Sequence, residues 1–148
     1  MTNENSLDLT QKYDQGKLDF KPTGLYYSIG HAWREWCESE MPEWVKPWNF
    51  YLYMNNSKIL LITNTHQLRE FCDKYMKKFF KYTYLIDWHE VSKSYSGIEF
   101  QRYNNLKYMS NRGDDYAKYL WLYGWDVSGG CIWDLDVIKN VRRYAANS

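Results

Sequence analysis

The sequence predicts an α+β domain of antiparallel strands flanked by about three helices. Short runs of aromatic and β-branched residues, bounded by Gly, Pro or Asn, are typical of strands. Between these runs, apolar residues recur at helical spacing. With 148 residues, the chain is long enough to form one hydrophobic core and needs no second domain.

The first half of the chain contains three predicted strands. Residues 1–20 are polar and form an arm or a weak first strand, so 21–148 is taken as the folded domain. Gly24–Ile29 reads as a strand that ends near Gly30. Two further strands, Trp48–Met54 and Lys58–Thr63, flank an Asn-Asn-Ser turn, and we expect them to form a hairpin or a neighbouring pair.

Two amphipathic helices are predicted in the same half. The first has Ala32, Trp33, Trp36 and Cys37 on one side and ends before Pro42. Thr65 caps the second, whose apolar face comprises Leu68, Phe71, Cys72, Tyr75, Met76 and Phe79. Its opposite face is basic, with Lys74, Lys77, Lys78 and Lys81. A solvated helix face explains these lysines, and contact with phosphate or nucleic-acid backbone is the alternative.

The second half is predicted to begin with Asp87–Val91, a capped helical turn that buries Trp88. The strand Gly97–Phe100 follows, and then residues 101–120 form a long loop with one helical turn around Tyr116–Leu120. The last predicted strand is Cys131–Trp133. It leads into Asp136–Lys139, a helical or irregular C-terminal segment.

Composition and motifs exclude several classes of protein. The net charge of +1 provides no global attraction to nucleic acid or membrane. No apolar run reaches the length of a membrane span, and three widely spaced cysteines are typical of reduced thiols in a cytosolic compartment. The three histidines have no partner at metal-ligand spacing, so no metal is expected. Motifs of serine hydrolases, phosphate-binding loops and dinucleotide folds are absent from the sequence.

Aromatic residues make up 20% of the chain, and we expect some of them to line a cleft. Near the C-terminus, a polar turn containing Asp126 and Ser128 leads into a buried strand through Gly129 and Gly130. The glycines allow a ligand to approach the backbone. Carboxylates among aromatics, here Asp126 and Glu99, suit chemistry that develops positive charge on a sugar. An ordinary surface turn with capping carboxylates is the alternative.

The order of segments resembles the mono-ADP-ribosyltransferase superfamily over about residues 24–140. Gly-Leu-Tyr-Tyr-Ser at 24–28, followed by a helix with Ala32-Trp33, is similar to the strand that lines the nicotinamide pocket and its following helix. Tyr-Ser-Gly-Ile-Glu at 95–99 is similar to the superfamily's Tyr-Asp-Gly-Ile strand. The remaining similar segments are Tyr51–Tyr53, Lys58–Ile62, Leu68–Tyr75, Gly130–Asp134 and Ile138-Lys139.

This resemblance implies an NAD site in a cleft between two small antiparallel sheets. Tyr26 and Tyr27 would hold the nicotinamide, Lys21 would contact the diphosphate or ribose, and Ser128 would lie beside the cofactor. Ser28 would support the catalytic acid by a hydrogen bond. Asp126, with Glu99 as the second choice, would be that acid and would stabilise the ribosyl cation.

The resemblance therefore predicts an NAD-dependent ADP-ribosyltransferase that modifies a protein or nucleic-acid acceptor. The cysteines and the lack of an apolar span predict a cytoplasmic protein with no membrane partner. A competing interpretation is a non-enzymatic viral or phage accessory protein that acts inside an infected host cell and binds a host protein through exposed aromatics. A third is a nucleic-acid binder that uses the Lys74–Lys81 face together with stacking tyrosines.

Overall fold

The computed structural model describes residues 1–4, 7–16, 18–46, 48–81, 83–110 and 116–145, and over these ranges the α+β class is confirmed. Its helices are α1 (Ala32–Glu40), α2 (Thr65–Tyr75), α3 (Trp88–Ser94) and α4 (Tyr103–Ser110), with 3₁₀ segments at Pro42–Trp44, Asn56–Lys58, Tyr116–Trp125 and Leu135–Val137. The strands are β1 (Thr2–Glu4), β2 (Leu25–Ser28), β3 (Trp48–Met54), β4 (Ile59–Ile62), β5 (Met76–Phe80), β6 (Thr83–Ile86), β7 (Gly97–Phe100), β8 (Gly129–Ile132) and β9 (Ile138–Ala145).

Within the described ranges the strands form three sheets, with orders β1-β3-β9, β2-β8-β7-β4 and β5-β6. Two expectations are corrected. The predicted pairing of β3 with β4 is wrong, because these strands lie in different sheets. The sheets are also not all antiparallel, since β4 and β7 run parallel. The chain between β4 and β7 includes α2 and α3 and is long enough for the crossover that parallel strands require.

The four-stranded sheet is covered on both faces. One face carries Ile98, Phe100 and Cys131, which pack against the helices and the fully buried Trp121. The opposite face carries Tyr27 and Ile132, which pack with side chains of the three-stranded sheet such as Leu52. All three cysteines are buried free thiols. Strand β2 forms one edge of this sandwich, and the candidate site lies along that edge.

Helix α2 ends earlier than the periodic pattern predicts. It stops at Tyr75, and residues 76–80 form β5, which pairs with β6 and places Met76 opposite Ile86. Helical periodicity continues through this segment, but the pairing with a strand further along the chain decides its conformation. The prediction that the lysines share one helix face is therefore wrong beyond Lys74. Lys77, Lys78 and Lys81 lie on an exposed β-ribbon instead.

The cap of α2 also differs from the prediction. Asn64, not Thr65, is the N-cap, and its side chain accepts a hydrogen bond of 2.8 Å from the backbone N–H of Gln67. We expect Asn64→Ala to lower the free energy of unfolding by about 1 kcal/mol, because the amide of Gln67 loses its partner. Thr65→Ala is the matched control and should cost less. Urea denaturation measures both, and a larger loss for Thr65→Ala would contradict this cap.

The C-terminal third departs most from the prediction. The loop expected over 101–120 contains α4, and the segment expected to be helical or irregular from Asp136 contains one 3₁₀ turn followed by β9. The last buried strand covers 129–132, and not 131–133. The strand at Gly24–Ile29, the helix before Pro42, the turn capped by Asp87 and the strand Gly97–Phe100 are confirmed.

Candidate functional site

A row of side chains crosses three strands of the four-stranded sheet. Tyr27 on β2 faces Gly130 on β8, which faces Glu99 on β7. A Cβ built on Gly130 would lie 2.6 Å from the Tyr27 hydroxyl oxygen, so the missing side chain leaves room for the tyrosine ring. The ring therefore lies across Gly130 and reaches Glu99, where its hydroxyl donates a hydrogen bond of 2.8 Å to Oε1.

Glu99 is held at both oxygens. Oε1 accepts from Tyr27, and Oε2 accepts a hydrogen bond of 2.8 Å from the side-chain amide of Gln101. Glu99 is half-buried and belongs to a strand paired on both sides. Two donors and a rigid strand fix the orientation of this carboxylate. Burial raises the pKa of the Tyr27 hydroxyl, and the Glu99 charge adds to this effect, so Tyr27 remains a neutral donor.

A cavity of about 260 Å³ lies at the edge formed by β2. Its wall includes five of the residues singled out from the sequence: Lys21, Tyr26, Tyr27, Ser28 and Asp126. The other lining residues are Met1, Trp33, Gly124, Trp125, Val127, Gly129 and Gly130. Glu99 is not among the lining residues and is linked to the cavity through Tyr27. The wall thus combines four aromatic side chains with the Lys21 ammonium and the Asp126 carboxylate.

Lys21 is the cation of this cavity. Its ammonium lies 4.5 Å from the centre of the Tyr26 ring and 5.4 Å from that of Trp125, and it donates a hydrogen bond of 2.9 Å to the carbonyl of Gly124. Burial lowers the pKa of Lys21, and the charge of Asp126 opposes this shift. The ammonium is therefore held against aromatic faces in a position where an anionic ligand group can reach it.

Asp126 is the carboxylate in the cavity wall. It is exposed and adopts φ of +63°, a left-handed conformation that Asp and Asn tolerate better than most residues. The neighbouring Ser128 has a structural role: its carbonyl accepts from Ile29 and its hydroxyl accepts from the backbone N–H of Tyr103. These bonds anchor the turn that carries Asp126 to both β2 and α4.

Ser28 makes a different contact from the one expected, and the two glycines have a second role. The Ser28 hydroxyl donates a hydrogen bond of 3.3 Å to the carbonyl of Gly30, and the hydroxyl that bonds Glu99 is that of Tyr27. Gly129 and Gly130 both line the cavity, and they also have a packing role. A Cβ on Gly129 would lie 2.2 Å from the carbonyl oxygen of Tyr27, so close packing of β8 against its neighbours requires both glycines.

The lining residues that were not anticipated from the sequence include Met1, Trp33 and Trp125. Met1 exchanges two backbone hydrogen bonds with Ser28 along the free edge of β2, and Trp33 reaches the wall from α1. Trp125 is buried, its ring lies 5.5 Å from that of Tyr26, and its indole N–H has no hydrogen-bond partner among the described residues.

Comparison of the chain with protein families, with curated proteins and with solved structures finds no match. Over the part of the chain that the structure describes, no helix is long and apolar enough to cross a bilayer. In the same residues, no cluster of three or more His, Cys, Asp or Glu side chains is arranged to hold a metal ion.

Proposed function

We propose that the cavity binds NAD and that the protein transfers ADP-ribose from NAD to a macromolecular acceptor. The observation that carries this proposal is the cavity wall itself, which contains Lys21, Tyr26, Tyr27 and Asp126 together. Aromatic faces suit a nicotinamide ring, a held ammonium suits a phosphate, and a carboxylate suits a sugar that develops positive charge. A volume of about 260 Å³ suits part of a dinucleotide, with the remainder lying outside.

The chemistry follows from the position of charge. The bond between ribose C1′ and the nicotinamide nitrogen breaks, and its electron pair leaves with nicotinamide. The ribose becomes positively charged, and the Asp126 carboxylate stabilises that charge. A nucleophile of the acceptor then forms the new bond to C1′, and its proton passes to the carboxylate or to water. Tyr26 and Tyr27 remain neutral because burial raises the pKa of both hydroxyls.

Glu99 has a different proposed role. Its two hydrogen bonds hold the ring of Tyr27, which lines the cavity. Glu99 is thus a positioning residue, and Asp126 is the residue that faces the ligand. A host-protein binder is the second candidate, favoured by the stacked pair Trp33 and Trp36 beside the exposed Trp44, with ring centres 5.0 Å apart in the stacked pair.

Calorimetric titration with NAD at low and moderate salt tests the proposal. We expect saturable binding that changes little with salt, because most of the contact is aromatic. Accumulation of free nicotinamide on incubation with NAD tests the transfer chemistry. Absence of binding up to millimolar NAD would reject the NAD site and favour the aromatic surface as a protein-binding site.

Lys21→Met should weaken NAD binding at least about tenfold, because a charged hydrogen-bond donor to phosphate is lost while the chain length is kept. Lys78→Met on the exposed ribbon makes the same change of charge and is the matched control. We expect the control to bind NAD like the parent protein. Equal losses in both variants, measured by calorimetry, would show that overall charge and not the cavity determines the affinity.

A further inference from the structure

The three-stranded sheet has one face that packs on the core, and its other face is exposed to solvent over part of its area. The hydrophobic cluster between this sheet and the four-stranded sheet includes Leu52 and Met54 of β3 and Ile138 of β9. Because side chains alternate along a strand, Tyr51 and Tyr53 lie on the opposite face. The register places Arg142 opposite Tyr51, and Tyr144 is on the same side of β9.

These four residues, Tyr51, Tyr53, Arg142 and Tyr144, are called the tyrosine face. Tyr53 is 48% exposed and Tyr144 is 44% exposed. The rings of Tyr51 and Tyr144 meet edge to face with centres 5.1 Å apart, and the guanidinium of Arg142 lies 5.7 Å from the centre of the Tyr53 ring. The tyrosine face is therefore an ordered array of aromatic rings, of which Tyr53 and Tyr144 are exposed to solvent.

The charge on the tyrosine face is that of Arg142, and neither β3 nor β9 contains a carboxylate. Arg143 alternates to the other face, where its guanidinium lies 4.2 Å from the centre of the Trp48 ring. Tyr51 and Tyr53 are two residues apart on β3, which separates them by about 7 Å. Rings at this spacing, with a guanidinium beside them, match a polymer that alternates flat bases with phosphates. Tyrosine hydroxyls and guanidinium groups are less suited to a lipid interior or to a purely apolar protein surface.

We propose that the tyrosine face binds single-stranded nucleic acid, with bases stacked on Tyr53 and Tyr144 and a phosphate at Arg142. The hydroxyl of Tyr51 forms a hydrogen bond of 2.8 Å with Nε2 of His31, which is three residues after the cavity residue Ser28. The binding of nucleic acid is independent of the proposed function. The role of the bound nucleic acid as the acceptor of ADP-ribose rests on the proposed function.

Fluorescence anisotropy with a labelled oligothymidine of about 12 nucleotides tests this proposal, since that length spans a typical single-strand site. We expect saturable binding that weakens between about 50 and 200 mM salt. Tyr53→Ser with Tyr144→Ser should weaken binding at least about tenfold, because two stacking surfaces are lost. Arg142→Gln should reduce the slope of the salt dependence by about 0.7.

Controls separate this face from the rest of the molecule. Phe79→Ser removes an aromatic ring that is 66% exposed on the β-ribbon, and it should leave oligothymidine binding unchanged. Lys21→Met should also leave it unchanged, and the Tyr53→Ser, Tyr144→Ser variant should still bind NAD. A parent protein that does not bind oligothymidine overturns the proposal. So does a loss of binding with Phe79→Ser but not with the tyrosine variant, which would assign nucleic acid to the ribbon.

Discussion

Asp126→Asn is expected to lower the rate of nicotinamide release from NAD at least about a hundredfold and to leave the melting temperature nearly unchanged. The loss follows from removing the negative charge that stabilises the ribosyl cation, an electrostatic contribution of about 10²–10³ in rate at comparable sites. Asn keeps the size of the side chain. It also tolerates the left-handed backbone at φ of +63°, where Ala would add strain.

Two matched variants separate the role of Asp126 from general effects of charge. Asp136→Asn makes the same change at an exposed residue outside the cavity wall and should retain full activity. Glu99→Gln should disturb the ring of Tyr27. One carboxylate oxygen is replaced by an NH₂ group, which then faces the hydroxyl of Tyr27 or the side-chain amide of Gln101, and both of these are donors. We expect this variant to lose NAD affinity and about 1–2 kcal/mol of stability, with the chemical step less affected.

The pattern of these losses assigns the acid. If Asp126→Asn retains activity while Glu99→Gln abolishes it without a change in NAD affinity, the acid is Glu99 and the assignment of Asp126 is wrong. If neither variant affects activity, the transfer chemistry does not use this cavity. Measurements of nicotinamide by chromatography, together with calorimetry for affinity, separate the rate of the chemical step from binding.

The elements that the sequence predicted well have strong local signals. Strand β2 and helix α1 are bounded by Gly30 and Pro42, and Asp87 caps α3 through the backbone N–H of Glu90. The misassigned elements depend on distant partners. The periodic pattern of α2 continues through residues 76–80, and only pairing with β6 makes this segment a strand. The polar strand β9 has no apolar alternation to predict it, and β3 supplies its partner.

The sequence was sufficient to predict several residues of the candidate site, but not which side chains contact one another. Lys21, Tyr26, Tyr27 and Asp126 were selected from the sequence and line one cavity. The bond between Tyr27 and Glu99 spans 72 positions and depends on the register of three strands, which local patterns do not determine. For the same reason, local sequence patterns do not indicate that the Trp125 ring packs beside Tyr26.

Gly130→Ala is expected to have the largest effect on stability, with a decrease in melting temperature of about 10 °C or more. A Cβ at this position would lie 2.2 Å from the carbonyl oxygen of Ile98 and 2.6 Å from the hydroxyl oxygen of Tyr27. The carbonyl belongs to the backbone of β7, so relief requires strands to separate and not merely a side chain to rotate. The Tyr27 ring would also be pushed away from Glu99.

Gly16→Ala is the matched control, because a Cβ there has no heavy atom within 4 Å. We expect its stability to stay within about 1 kcal/mol of the parent protein, as is usual for surface substitutions. Thermal unfolding followed by circular dichroism measures both variants. If Gly130→Ala melts within about 2 °C of the parent protein, the registers of β2, β8 and β7 described here are wrong. In that case the contact between Tyr27 and Glu99 would also be wrong, and Glu99 would not have the proposed positioning role.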